Sequence, residues 1–494
     1  MQKWAHAPAA LLAAIDGEEN HMNRTLLYAS TGVFVGALGL AWLTHGTGVV
    51  KNDIERHVYI PDQLTMPLQV KASYNGQDIF FRYRWPAESP SLFHDLAKFE
   101  GGEWVRKFGS GAGSDPEDMI EDRVTMMVDD GSVPEFARYG GYITIGDRMR
   151  FFTNAASADE VKKHPYLGGK LKKSDVRKYL PATRSDINDW ASVAPQEELD
   201  AQRKAGYFLD LWHWRAARSN PIAASDDENI FDFRSGDAGD GPFTTNWDPD
   251  KKQPRFMLDK DKVGRNALSW DDIRQRTLGF DDVYYISQDT AVPFDPNLAW
   301  QEGDVIPRVM LRQSSGSHGD IRPFGEARWR DGYWDVTLMR AMETGNLEDD
   351  KQFLDQGSYT VAMAVHRNGA EGRWHYVSLP YSLGLGRQAE IVAAKFSSGT
   401  PEWNQPWTDV TLFYPGQVSW PHLNSVKHAG SENIKKGVPV KYRHSEAQLA
   451  YYGIEAEFAD SIRRQWLLTI AAGILLIGGF GFSLNRAINR QKGN

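Results

Sequence analysis

The amino-acid sequence predicts a mainly β protein: an antiparallel β-sandwich with short helices and long loops, flanked by one transmembrane helix at each end. Three observations lead there. Thr25 to Thr44 and Trp466 to Asn485 are uncharged, largely apolar stretches of about 20 residues, the length a helix needs to cross a hydrocarbon core. From Val70 the chain alternates apolar and polar residues, and Asn75-Gly76 stands between two such runs, a strong hairpin signal. Most of the remaining chain is polar, tryptophan-rich and dense in turn residues.

In chain order, residues 1–24 are expected in the cytoplasm and 25–44 in the membrane, as an uncleaved anchor whose Gly32 and Gly36 form a small-xxx-small pair. Strands are expected at Val70 to Tyr74, Ile79 to Trp85, Arg123 to Val128, Tyr142 to Ile145, Ala327 to Leu338 around Asp331-Gly332, and Ser358 to Val365. Short helices are expected at Ser174 to Tyr179 and Glu197 to Arg218. Ala224 to Lys262 is too rich in Asp, Gly and Pro for regular structure. The sandwich is assigned to residues 70–395 and a connecting or docking segment to 396–465. A second span at 466–485 and a cytoplasmic tail at 486–494 complete the chain. Arg24 before the first span and Arg486, Arg490 and Lys492 after the second place both ends inside and the large domain outside. Arg463 and Arg464 act against that orientation. The location expected is a bacterial inner membrane with the domain in the periplasm.

The 494 residues carry a net charge of −9, which argues against a nucleic-acid surface. With no cysteine at all, disulfides, thiolate catalysis, Cys-ligated zinc, iron–sulfur clusters and covalent c-type haem attachment are excluded. No phosphate loop, dinucleotide fingerprint, nucleophile elbow or H-E-x-x-H motif occurs. Asp237-Ala-Gly-Asp240-Gly has calcium-loop composition but no glutamate at the twelfth position, so it reads as a solvated turn. His213, His366 and His375 are the histidines beside apolar or aromatic residues.

Four segments occur in a suggestive order: Phe81-Arg-Tyr-Arg-Trp85-Pro; Glu121-Asp122-Arg123-Val124; Asp210-Leu-Trp212-His213-Trp214-Arg215-Ala-Ala-Arg218; and Val365-His366 through Trp374-His375-Tyr-Val-Ser378. Over roughly Val70 to Leu385 the chain resembles the ethylbenzene-dehydrogenase-type haem-binding domain. The resemblance implies a β-sandwich holding one noncovalent haem b, with a methionine and a histidine or lysine as axial ligands. It implies a non-catalytic electron-transfer subunit. The partner would be a periplasmic molybdenum oxidoreductase, a quinone-oxidising membrane cytochrome or a soluble cytochrome c. His375 is the expected basic ligand, with His366 and His213 as alternatives; Met149 is the preferred thioether, ahead of Met126 and Met127. Trp374, Trp212, Trp214 and Trp334 are candidate walls for the macrocycle, and Arg215, Arg218 and Arg340 candidate partners of its propionates. The competing readings are an aromatic-lined ligand- or carbohydrate-binding sandwich and a haem-free structural or assembly subunit.

Overall fold

The computed structural model describes residues 28–29, 31–37, 65–108, 121–145, 156–176, 178–186, 189–366, 375–397, 399–413 and 454–491. They fall into two compact units, one formed by both chain ends (Met1–Arg56 with His444–Asn494) and one by His57–Arg443.

In the smaller unit, a helix runs from Ile454 to Gln491. Its stretch Leu467–Arg486 is the one helix among the described residues long and apolar enough to cross a membrane. Outward side chains such as Leu475 and Leu467 are well exposed, as a lipid-facing surface requires. Of the expected first span, residues 28–29 and 31–37 are helical and the rest lies outside the described residues. Phe34 packs on Phe480 with ring centroids 5.8 Å apart, while Gly32 and Gly36 face open space.

The larger unit is built on a 14-stranded sheet. We number its strands in chain order: β1 Thr65–Tyr74, β2 Asp78–Pro86, β3 Arg123–Asp129, β4 Leu209–Arg215, β5 Asp226–Ile230, β6 Arg234–Gly236 and β7 Arg322–Pro323. There follow β8 Arg328–Arg330, β9 Tyr333–Ala341, β10 Ser358–His366, β11 His375–Ser378, β12 Tyr381–Leu385, β13 Ile391–Lys395 and β14 Thr408–Phe413. The main path is β7-β9-β2-β1-β13-β12-β10-β3-β4-β5-β6. β1 gives its end to β13 and its beginning to β14, and β14 pairs with β11, which pairs with β10. The sheet therefore folds over at β1 and β10, and its two halves face each other.

The expected hairpins are present. Asn75 Oδ1 accepts from the backbone N–H groups of Gln77 and Asp78 (2.9 and 2.7 Å), closing the β1–β2 turn. Asp331 and Gly332 have φ of 52° and 78° and turn β8 into β9. Most pairings are antiparallel; β1–β13 and β12–β13 are parallel. The sheet also continues beyond Lys395, because β14 pairs with β1 from Thr65↔Phe413 to Val70↔Thr408.

Between the two halves lies an aromatic core. Trp85, Trp212, Trp214 and Trp334 are fully buried, with Trp214 and Trp334 5.0 Å apart edge to face and Trp85 stacked on Trp334 at 6.1 Å. Such pairs add to the burial of large apolar area. Trp334 Nε1 donates to Asp122 Oδ2 at 2.8 Å, and Tyr83 donates to Met126 Sδ at 3.3 Å.

Several expected elements differ. Tyr142 to Ile145 is not a strand but part of a 3-10 helix, Gly140–Ile145; a Cβ at Gly140 would meet Pro380 at 3.1 Å, so the chain turns tightly here against β10 and β11. The expected helix Glu197 to Arg218 is a nine-residue helix, Gln196–Lys204, followed by strand β4. All seven residues of β4 are buried, so no polar face exists to produce the alternation by which a strand is recognised. No helix occupies the described part of 174–179; helices lie earlier, at Ala158–Lys163 and Pro165–Lys170. The supposedly irregular 224–262 contains β5, whose five buried residues include Asp226, Asp227 and Glu228.

Buried charge at the mouth of β3 is satisfied by one carboxylate. Glu121, fully buried, accepts from Arg123 Nε (2.8 Å), Arg218 Nε and Nη2 (3.0 and 2.9 Å) and the backbone N–H groups of Ala217 and Arg218 (3.1 and 3.0 Å). Burial alone would raise its pKa, yet Arg218 and Arg123 beside it hold its carboxyl well below the usual glutamate value. We predict that Glu121→Gln, which strands the buried Arg123 and the largely buried Arg218 guanidinium groups, costs about 3–5 kcal/mol by denaturant midpoint. The native group's folded pKa is depressed, so its stabilisation is present above about pH 4.5 and lost as pH falls through the folded value. Acid titration of stability should show that loss in the native chain and not in the variant.

Candidate functional site

The half-sheet β11-β10-β3-β4-β5 has two faces. One meets the tryptophan core. On the other, alternation sets His375 opposite His366, His366 opposite Arg123, Arg123 opposite Arg215, and His213 opposite Asp226. Toward the far end of the same strands this face becomes apolar. There Met127, Leu209, Leu211, Ile230 and Ala362 are covered by Val133, Phe136, Ile143 and Leu180.

The imidazoles are held in distinct ways. His366 and His375 stack with ring centroids 5.0 Å apart and planes at 29°. His366 is buried; burial first, then the charge of Arg123 and the neighbouring His375, hold its pKa well below the ordinary value, so it is neutral at neutral pH. Its Nδ1 meets no hydrogen-bonding partner among the described residues. His213 is pushed down to about 3 by burial and by Arg215, against the opposing carboxylate of Glu228. Its Nδ1 lies 3.2 Å from Glu228 Oε2 and 3.1 Å from Arg215 Nη2. Nδ1 can carry a proton toward Glu228 or a lone pair toward Arg215, but not both, so the two contacts compete for the tautomer. Its Nε2 has no partner among the described residues. With the proton on Nδ1 and shared with Glu228, Nε2 keeps its lone pair; carboxylate-backed imidazole is the arrangement that orients metal-ligating histidines.

Arginines surround these rings. Arg215 donates through Nη1 to Asp226 and through Nη2 to Glu228 Oε1 at 3.3 Å. His318 Nε2 lies 3.1 Å from the other oxygen of Asp226. Arg123 spends Nε on Glu121, and its Nη2 has no partner among the described residues.

Of the residues expected from sequence, the structure brings together His213, His366, His375 and Arg215. Arg215 is already engaged by Asp226 and Glu228, and Arg218 by Glu121. Trp212 lies on the opposite face, edge to face with Phe81 at 5.3 Å and beneath the Arg340 guanidinium at 5.1 Å. Arg340 is also on that face, toward the other end of β4, bound to Asp210 (2.8 Å) and Asp350 (2.6 Å). Trp214 and Trp334 pack on each other in the core. Met126 is in that core as well, whereas Met127 shares the imidazole face within its apolar end. Met149 and Trp374 lie outside the described residues. Arg123, Asp226, Glu228 and His318 were not singled out from sequence. Only the placement of Arg123 inside a segment of family resemblance offered a signal.

The fold and this face define a class: a mainly β domain with a charged, histidine-bearing sheet end, attached to a helix of membrane-spanning length. The ethylbenzene dehydrogenase family model matches residues 4–378, and the chain belongs to that family. It is also 40% identical over 62 residues to cytochrome c-552 of Stutzerimonas stutzeri, a match covering 13% of this chain and 21% of that protein. The chain thus spans about a fifth of the length of this curated relative.

The burial of Arg215 gives a direct test. Replacing it by methionine leaves Asp226 and Glu228 without their shared guanidinium, at an expected cost of about 3–5 kcal/mol in chemical denaturation. Arg234→Met should cost less than about 1 kcal/mol, because Arg234 is about one-third exposed and 3.7 Å from Glu228.

Proposed function

We propose that this protein is a membrane-anchored b-type cytochrome subunit, passing single electrons between an extracytoplasmic oxidoreductase, of molybdenum type, and the respiratory chain of a bacterial inner membrane. The observation that carries the reading is the gathering of His213, His366 and His375 on one face of the sheet beside Arg123. Family membership and the short likeness to a protein named as a cytochrome support it.

The residues fit a haem. The unpartnered Nη2 of Arg123 is a buried polar atom that a carboxylate would satisfy, and the unpartnered Nε2 of His213 and Nδ1 of His366 are buried nitrogens of the alternative ligands, either of which an iron would satisfy. Bound haem b would supply a one-electron iron couple tuned by its ligands and burial. His375, on the short rim strand β11, is the proposed basic ligand, and Met149 the proposed thioether. His366 stacks on His375 and restricts its ring. The depressed pKa values of His366 and His213 keep their imidazoles neutral, so neither adds charge that a ferric centre would repel. Arg123 is better placed than Arg340 or Arg215 to take a propionate, because its terminal Nη2 is uncommitted, whereas both terminal nitrogens of Arg215 and of Arg340 are engaged. The tryptophans exclude water from one face of the half-sheet, and Val133, Phe136 and Ile143 from the apolar end of the other.

A separate feature favours a second reading, ligand binding. An open groove of about 560 Å³ is lined by Trp104, Phe294 and Trp300 with Lys251, Lys252 and Glu103; Phe294 and Trp300 stack at 5.2 Å. Flat aromatic surface flanked by polar groups suits a sugar ring.

The deciding experiment is a pyridine haemochrome assay and a reduced-minus-oxidised spectrum on the detergent-purified full chain. One b-type haem with a sharp low-spin α band is expected, with that band lost in His375→Ala and the haem content lowered in Arg123→Met. A folded protein without haem, made with adequate haem supply, would overturn the electron-carrier reading and leave the ligand-binding or structural one.

A further inference from the structure

At the end of β4 opposite Arg215, about 17 Å along the strand, the sandwich closes over a second group of charges. Asp210 and Asp227 come from β4 and β5, Asp237 from just beyond β6, and Asp349 and Asp350 from the β9–β10 connection. Oxygens of Asp210, Asp227 and Asp350 lie within 4.8 Å of one another, and so do those of Asp237, Asp349 and Asp350. Arg340 sits in the first group, with Nη2 2.8 Å from Asp210 and Nη1 2.6 Å from Asp350. The second group shares Asp350 with the first, and Asp237 Oδ1 accepts from Asn229 Nδ2 at 2.8 Å, but no Lys or Arg among the described residues forms an ion pair with Asp237 or Asp349. Arg203 donates instead to Asn229 Oδ1 and to the carbonyl of Glu348, and Lys351 Nζ to Asp130 and the Gly206 carbonyl.

Asp227 supplies an observation beyond the clustering. It is fully buried, 3.7 Å from Arg340 at its nearest, and neither of its oxygens accepts a hydrogen bond from the described residues. Oδ2 of Asp237 and Oδ2 of Asp350, both nearly fully buried, and Oδ1 of Asp349 are in the same condition. A buried carboxylate without donors is costly, and it is relieved by a proton, by water or by a cation. Five carboxylates around one hydrogen-bonded guanidinium favour the cation. The donors are all oxygen, which selects a hard ion, and irregular carboxylate-rich sites suit calcium better than magnesium, which demands a near-ideal octahedron and retains its water. Asp349 is half-buried and gives the ion a way in.

We propose that Asp237, Asp349 and Asp350, backed by Asp227, bind one Ca²⁺ ion that ties the β9–β10 connection to the chain after β6. The site is independent of the haem, lying at the other end of the half-sheet. The test uses the detergent-purified full chain stripped with EGTA, titrated calorimetrically with CaCl₂ or MgCl₂, with Tm followed in parallel. One Ca²⁺ per chain is expected, with a rise in Tm on saturation and Mg²⁺ bound at least about tenfold more weakly. Asp349→Asn should lower Ca²⁺ affinity by about tenfold or more while leaving the Tm in EGTA unchanged or higher, since it removes a repulsive charge from a half-exposed position. Asp237→Asn provides a second variant with the same expected loss. Absence of saturable Ca²⁺ binding up to about 10 mM, beyond the weakest range of extracellular calcium modules, with Tm indifferent to the ion, would overturn the proposal and assign those oxygens to protons and water. Equal affinity for Mg²⁺ would overturn the calcium assignment.

Discussion

The pairing of buried charge is the constraint on which the larger unit depends, and Glu121 is its clearest case. A carboxylate with no solvent contact collects five protein donors from Arg123, Ala217 and Arg218. Those donors come from β3 and from the turn that follows β4, so satisfying the charge locks two adjacent strands in register at their ends. The next residue, Asp122, repeats the device on the other face by accepting from Trp334 and from the backbone of Ser91. A two-residue segment thereby anchors both the imidazole face and the tryptophan core.

Alternation along strands then divides the labour. In β4, Trp212 and Trp214 point into the sandwich while Leu211, His213 and Arg215 point to the other face. Each face is completed by neighbours of matching chemistry: aromatic rings from β2 and β9 on one side, acids from β5 on the other. Because both faces are covered, β4 can carry charged residues only where neighbours answer them: Asp226 and Glu228 of β5 for Arg215, and Arg340 of β9 for Asp210. That requirement explains an acidic strand, Asp226 to Glu228, in a sheet interior where acids are seldom found.

The same pairing bears on the electron transfer proposed above. A redox centre gains from a dry, pre-arranged surround whose charges do not need to reorganise as the iron changes oxidation state. Arg215, Asp226, Glu228 and His318 form such a fixed array beside His213.

Much of this was legible in the sequence. The Asn75-Gly76 and Asp331-Gly332 turns, the alternating strands β1, β2, β3, β9 and β10, and the apolar C-terminal helix follow from local conformational preference and periodicity, which act over a few residues. So did the interest of His213, His366 and His375, each set among aromatic or apolar neighbours. What the sequence left open were the elements buried on both sides or built from charge. β4 looked helical because it lacks a polar face, and β5 looked irregular because 224–262 is rich in Asp, Gly and Pro and its acids are answered only when pairing with β4 sets Arg215 beside Asp226 and Glu228. Which arginines are committed was likewise undetermined, since Arg215 and Arg340 differ from Arg123 only in the carboxylates that folding brings to them. Local preference is written residue by residue; the pairing of buried charges depends on strand register, and only the tertiary structure decides that.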